Sequence, residues 1–72
     1  MTEAEKWIRE ARSLEEQGDL AGAALRYRRA LQLSEGREAR DLCLTLADLD
    51  MQQGNLHGAD VWYVLATEYP EK

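Results

Sequence analysis

In its 72 residues the chain has one cysteine, one proline and one histidine, and it has no uninterrupted apolar run near the length of a membrane span. Each shortage removes a class of protein. Cys43 has no second thiol with which to close an internal disulfide or share a metal, so the fold needs no oxidising compartment and a cytoplasmic setting suits it. His57 has no second histidine, so one chain cannot assemble a histidine metal site or a histidine-based acid–base pair. A spanning helix takes roughly 20 apolar residues, and the acidic start Met1–Lys6 lacks the basic residues and apolar run of a secretory signal. Neither a membrane nor a secretory pathway is implied.

Strand patterning is missing too, because no segment alternates with period two for long enough. There is no phosphate-cradling glycine loop, no nucleophile elbow and no metal-binding helix motif. Carboxylates are plentiful, notably Glu15 and Glu16 or Asp48 with Asp50, but they read as solvated helix surface. No catalytic residue, cofactor site or metal site is expected, and the chain is not read as an enzyme. Fourteen acidic residues against nine basic ones give a net charge of -5, which repels a phosphate backbone and makes nucleic acid a poor partner.

What the chain does have is balance and repetition. At 44% hydrophobic and 32% charged it has a composition that folds, although a single domain this small buries little surface. Sliding the sequence against itself by 36 residues lays Gln17-Gly18-Asp19-Leu20 on Gln53-Gly54-Asn55-Leu56, and pairs Gly22, Ala23, Tyr27 and Ala30 with Gly58, Ala59, Tyr63 and Ala66. Seven of the fourteen residues from 17 to 30 are identical to their counterparts, where about one would match by chance, so the chain is a tandem repeat with units at about 2–35 and 37–70.

Each unit splits into two helices at its Gly-Asp or Gly-Asn pair. Glycine takes the left-handed conformation that ends a helix, and the next residue offers a side-chain oxygen to cap another. Thr2 and Glu5 form a capping box that opens a first helix running to about Gln17, with Trp7, Ala11 and Leu14 inward. A second helix covers about Leu20 to Ser34, Gly36 breaks the units, and a third covers about Arg37 to Gln53 with Leu42, Cys43, Leu46, Ala47 and Leu49 on one stripe. A fourth runs from about Leu56 to Tyr69, where Pro70 stops it.

These residues resemble the tetratricopeptide repeat, whose pattern is Trp-x2-Leu-Gly-x2-Tyr, then Ala-x3-Phe, a further alanine and a proline. Trp7, Ala11 and Leu14, then Ala23, Tyr27 and Ala30, occupy the family's aromatic, small and large places in the first unit. Cys43, Leu46 and Ala47, then Ala59, Tyr63 and Ala66, do so in the second. Departures are Glu10 for leucine, Asp50 for a large aromatic, Glu35 for the closing proline, and a period of 36 instead of the usual 34. The resemblance implies an all-α, right-handed solenoid fragment of two helical hairpins, four helices in all, whose first helices line a concave surface that binds a partner peptide or helix; the apolar fourth helix described below adds the expectation that it is dimeric or helix-swapped. Carried over, that surface presents Glu5, Ile8, Arg12 and Glu15 from the first unit and Asp41, Leu44, Asp48 and Met51 from the second. Ile8, Arg12 and Thr45 stand where some family members clamp a terminal carboxylate, so that activity is not supported.

The fourth helix is apolar nearly all round, with Val61, Trp62, Val64 and Leu65 where the second helix has Leu25, Arg26, Arg28 and Arg29. Val61, Trp62, Val64, Leu65 and Tyr69 are therefore read as a self-association surface, and repeat arrays of this type ordinarily need at least three units or a cap. The expectation is a non-enzymatic protein-binding module that forms a homodimer. Two alternatives stand beside it. One is a small adaptor, a chaperone or a segment of a longer array that docks on a larger protein. The other, weaker one is binding of nucleic acid or an acidic surface through Arg26, Arg28, Arg29, Arg37 and Arg40, which Glu16, Glu35 and Glu38 lie close enough to neutralise.

Overall fold

The computed structural model describes residues 1–69 and is all-helical over that range. Its four helices are α1 (Glu3–Glu16), α2 (Leu20–Gln32), α3 (Gly36–Gln52) and α4 (Leu56–Ala66). The expected boundaries hold to within a few residues, and the local chemistry shows why. Thr2 Oγ1 accepts from the Glu5 N–H at 3.1 Å while Glu5 Oε1 accepts from the Thr2 N–H at 2.8 Å, completing the capping box. At the end of α1, Gly18 sits at φ 85°, its N–H bonds to the Glu15 carbonyl and the Asp19 N–H reaches back to Leu14.

The same pair of bonds recurs 36 residues later, with Gly54 at φ 79° and N–H bonds from Gly54 to Met51 and from Asn55 to Asp50. Both are Schellman terminations, which satisfy the last helical carbonyls and need a residue that tolerates positive φ. Asp19 and Asn55 then cap the next helices by accepting from the N–H groups of Gly22 and Gly58. The helix end that differs from expectation is that of α4, which stops at Ala66. Beyond it the chain winds through bonds spaced three residues apart, from Thr67, Glu68 and Tyr69 to Val64, Leu65 and Ala66, and the Thr67 hydroxyl also donates to the Val64 carbonyl. Pro70, the expected stop signal, lies outside the described residues.

The helices pack in sequence as hairpins: α1 on α2, α3 on α4, with α2 against α3 joining them. The result is a slab about one helix hairpin thick, with principal extents of 32 × 32 × 13 Å. Alanines make the close approaches, since Ala11, Ala23 and Ala30 in the first hairpin and Ala39, Ala47, Ala59 and Ala66 in the second are all buried. Between the hairpins Leu42, Leu46 and Leu49 of α3 close over Tyr27, and Trp7, Leu14, Leu20, Leu31 and Trp62 pack around them. Among the described residues no buried side-chain nitrogen or oxygen lacks a hydrogen-bond partner, as a stable core requires.

Candidate functional site

Two surfaces stand out, one on each broad feature anticipated from the sequence. The first is the groove between α1 and α3, lined by Ile8 and Arg12 from one side, Glu38, Asp41 and Thr45 from the other, with Tyr27 and Leu42 beneath. Of the eight residues expected on the first-helix face, Ile8, Arg12 and Asp41 meet in this groove. Leu44, Asp48 and Met51 are exposed on α3 outside it.

Glu5 and Glu15 are already engaged by their own chain. The Glu5 carboxylate caps α1, and the hydrogen bonds from the backbone and hydroxyl of Thr2 hold its pKa below the usual value. Glu15 accepts from the Tyr27 hydroxyl at 2.5 Å. Burial, then the bond to Glu15 and its negative charge, push the Tyr27 pKa up to about 12, with Arg12 opposing. Glu38 and the Tyr27 hydroxyl were not anticipated as parts of this groove. The repeat marked Tyr27 as a filler of space, and nothing in a linear pattern links it to a carboxylate twelve residues earlier.

The second surface is the outer side of α4, and here the structure redraws the expected set. Val61 and Val64 are exposed, as anticipated. Trp62 is not an outward residue: it is half-buried and packs against the chain's own core. Leu65 and Tyr69 are also half-buried. The tyrosine expected to point inward, Tyr63, is 43% exposed while its counterpart Tyr27 is 4% exposed. Leu56, 64% exposed, joins it. The open patch is therefore Leu56, Tyr63 and Val64, while Val61, 50% exposed, lines the groove toward α2 beside Trp62.

The repeat explains the inversion. Moved back by 36 residues, Trp62 and Leu46 become Arg26 and Glu10, and Leu65 and Cys43 become Arg29 and Trp7. In the first hairpin Arg26 pairs with Glu10 at 3.4 Å and the Arg29 guanidinium lies 6.0 Å from the centre of the Trp7 ring. That edge has no preceding hairpin among the described residues and keeps charge in water. In the second hairpin the same edge abuts α2: Trp62 shares a groove with Ala21, Ala24 and Arg28, and Leu46 is buried. Of the three apolar residues that stand in α4 where α2 has arginines, Trp62 thus serves packing within the chain.

The remaining candidates are placed as follows. Arg26 and Arg29 are turned to α1, whereas Arg28 lines the groove toward α4, so the arginine run is split between two sides of α2. Cys43 is fully buried, and desolvation raises its thiol pKa, which keeps it protonated. His57 is exposed. No helix among the described residues is long and apolar enough to cross a membrane, and no group of three metal-capable side chains converges among them. Comparison of the chain with protein-family models, with curated proteins and with solved structures finds no match.

Proposed function

We propose that this chain is a non-enzymatic protein-interaction module of two tetratricopeptide-like hairpins that self-associates through the outer face of α4 and presents the α1–α3 groove to a peptide or helix of a partner. The observation that carries the reading is the contrast between Tyr27 and Tyr63, which hold the same place in their hairpins yet are 4% and 43% exposed. α3 covers the first; nothing among the described residues covers the second to the same degree. With Leu56 and Val64 beside it, the face concentrates large apolar side chains on one helix of a very small protein, the usual mark of a contact surface. Removing roughly 300–400 Å² of such area from water supplies several kcal/mol at about 25 cal/mol per Å², comparable with the whole stability of a small domain.

The groove is the weaker half of the proposal. Its mix of Ile8, Arg12, Asp41 and Glu38 suits an amphipathic segment carrying both an apolar anchor and charge, in line with the concave surface of the family the sequence resembles. Light scattering on a size-exclusion column tests the stronger half. The wild-type chain is expected at twice its monomer mass at micromolar concentration, and Tyr63→Glu at the monomer mass with its helical circular dichroism kept. A wild-type monomer at every concentration would overturn the self-association reading.

A further inference from the structure

We infer that the α1–α3 groove selects a basic segment of a partner protein, seating an apolar side chain on Ile8 and Leu42 and a lysine or arginine between Glu38 and Asp41. The inference rests on the reading of this groove as the peptide-binding face and specifies what the peptide carries. The polar groups that line the groove divide into those already partnered and those left open. The Tyr27 hydroxyl donates to Glu15 at 2.5 Å, and the Thr45 hydroxyl donates to the Asp41 carbonyl at 3.1 Å. Arg12, on the opposite wall, faces that tyrosine and stands one turn from Glu15 on the same helix, so its charge has a counter-charge within the chain. Two groups remain: the Glu38 and Asp41 carboxylates, exposed and without a hydrogen bond or ion pair to any described residue.

Glu38 and Asp41 stand three residues apart on α3, which sets their Cβ atoms about 5–6 Å from each other on one face of the helix. A cation placed between them meets both carboxylates, whereas an anion is repelled by both. Arg37, one turn before Asp41, forms no ion pair with it. No third metal-capable side chain joins the two among the described residues, so the pair suits the cationic side chain of a partner and not a metal ion, which takes more oxygen ligands. The floor beside them is apolar: Tyr27 and Leu42 are 4% and 6% exposed and Ile8 is half-buried, which gives an apolar neighbour of that cation a place to leave water. The chain's net charge of -5 adds an attraction of the same sign at longer range, which speeds encounter.

Fluorescence anisotropy with two short labelled peptides tests the charge selection. Both carry leucines at helical spacing, and the remaining positions are lysines in one and glutamates in the other. At low salt the lysine peptide is expected to bind the wild-type chain about tenfold tighter than the glutamate peptide, with the gap narrowing as salt is added. Glu38→Gln combined with Asp41→Asn is expected to bring the two peptides within about twofold of each other. Glu3→Gln combined with Glu68→Gln changes the net charge equally, lies outside the groove and is expected to keep most of the gap. A gap that both double variants reduce alike would assign the preference to net charge and overturn the inference. Equal binding of the two peptides, or a preference for glutamate, weakened in either case by Ile8→Ala, would overturn the charge selection and leave the groove reading standing. Binding of neither peptide at millimolar concentration would overturn both. Should the groove double variant fail to fold, Asp41→Asn alone replaces it and is expected to narrow the gap about threefold.

Discussion

The two hairpins have the same backbone plan, and their outer edges have opposite chemistry. On the first, Glu10 pairs with Arg26 in water and the exposed Arg29 stands over the half-buried Trp7. At the same places on the second, Leu46 and Trp62 meet the neighbouring hairpin, and Cys43 is buried. What decides the side chain at a repeated position is the element that lies beside it, not the helix it belongs to. The same rule reads Tyr63: it is identical to Tyr27 in sequence and differs in burial because only Tyr27 has a helix laid over it.

The sharpest way to break this comparison is to truncate the packing residue on one edge and its charged counterpart on the other. Trp62→Ala is expected to destabilise the fold by about 2–3 kcal/mol, somewhat below the cost of a fully buried aromatic because the indole is only half-buried. Arg26→Ala is expected to cost well under 1 kcal/mol. Urea unfolding followed by circular dichroism, at one protein concentration so that any assembly contributes equally, reads both. Equal losses would show that Trp62 is not part of the core. A substitution that places a charge at Trp62 should unfold the chain rather than simply free a monomer, which makes Tyr63 the better probe of association.

A smaller effect separates the two tyrosines. The Tyr27 hydroxyl is held protonated by burial and by Glu15, with its pKa raised from 10.0 to about 12, so folding favours the neutral form. The stabilisation is then complete below pH 10, where the unfolded tyrosine is still protonated, and is lost as the pH rises from 10 towards 12. Wild-type stability is expected to fall across that window. Tyr27→Phe is expected to flatten the fall and to cost about 1 kcal/mol at neutral pH through the lost hydrogen bond. Among the described residues the exposed Tyr63 makes no such bond, and Tyr63→Phe is expected to change stability at neutral pH by less than about 0.5 kcal/mol; a loss as large as that of Tyr27→Phe would remove the contrast between the two rings.

How much of this was legible in the sequence follows from the same contrast. The helix ends were readable because Gly18 and Gly54 carry a conformation that other residues avoid, and the Thr2–Glu5 box because its partners lie three residues apart. The inward stripe of α3 was readable because polar residues flank it and fix its phase: Leu42, Cys43, Leu46, Ala47 and Leu49 are all buried. α4 offers no such phase. From Val61 to Ala66 every residue is apolar, so rotation about the helix axis cannot be deduced from which residues avoid water. That is why Trp62 was read as outward and Tyr63 as inward. The groove was half legible for a different reason: Ile8, Arg12 and Asp41 follow from the resemblance to the tetratricopeptide repeat, but the bond that ties Glu15 to Tyr27 depends on how two helices meet.

The smallest expected effect is also the most specific statement about the charged edge. Arg26 and Glu10 lie 3.4 Å apart with side chains 34% and 46% exposed, so water screens the pair and two long side chains must be ordered to hold it. A double-mutant cycle of Glu10→Ala and Arg26→Ala is expected to give a coupling of about 0.2–1 kcal/mol, diminishing as salt is added. If the pair acted as a structural clasp, the coupling would exceed that range and persist in salt. A weak, salt-sensitive coupling means instead that the pair is solvated surface of the first hairpin.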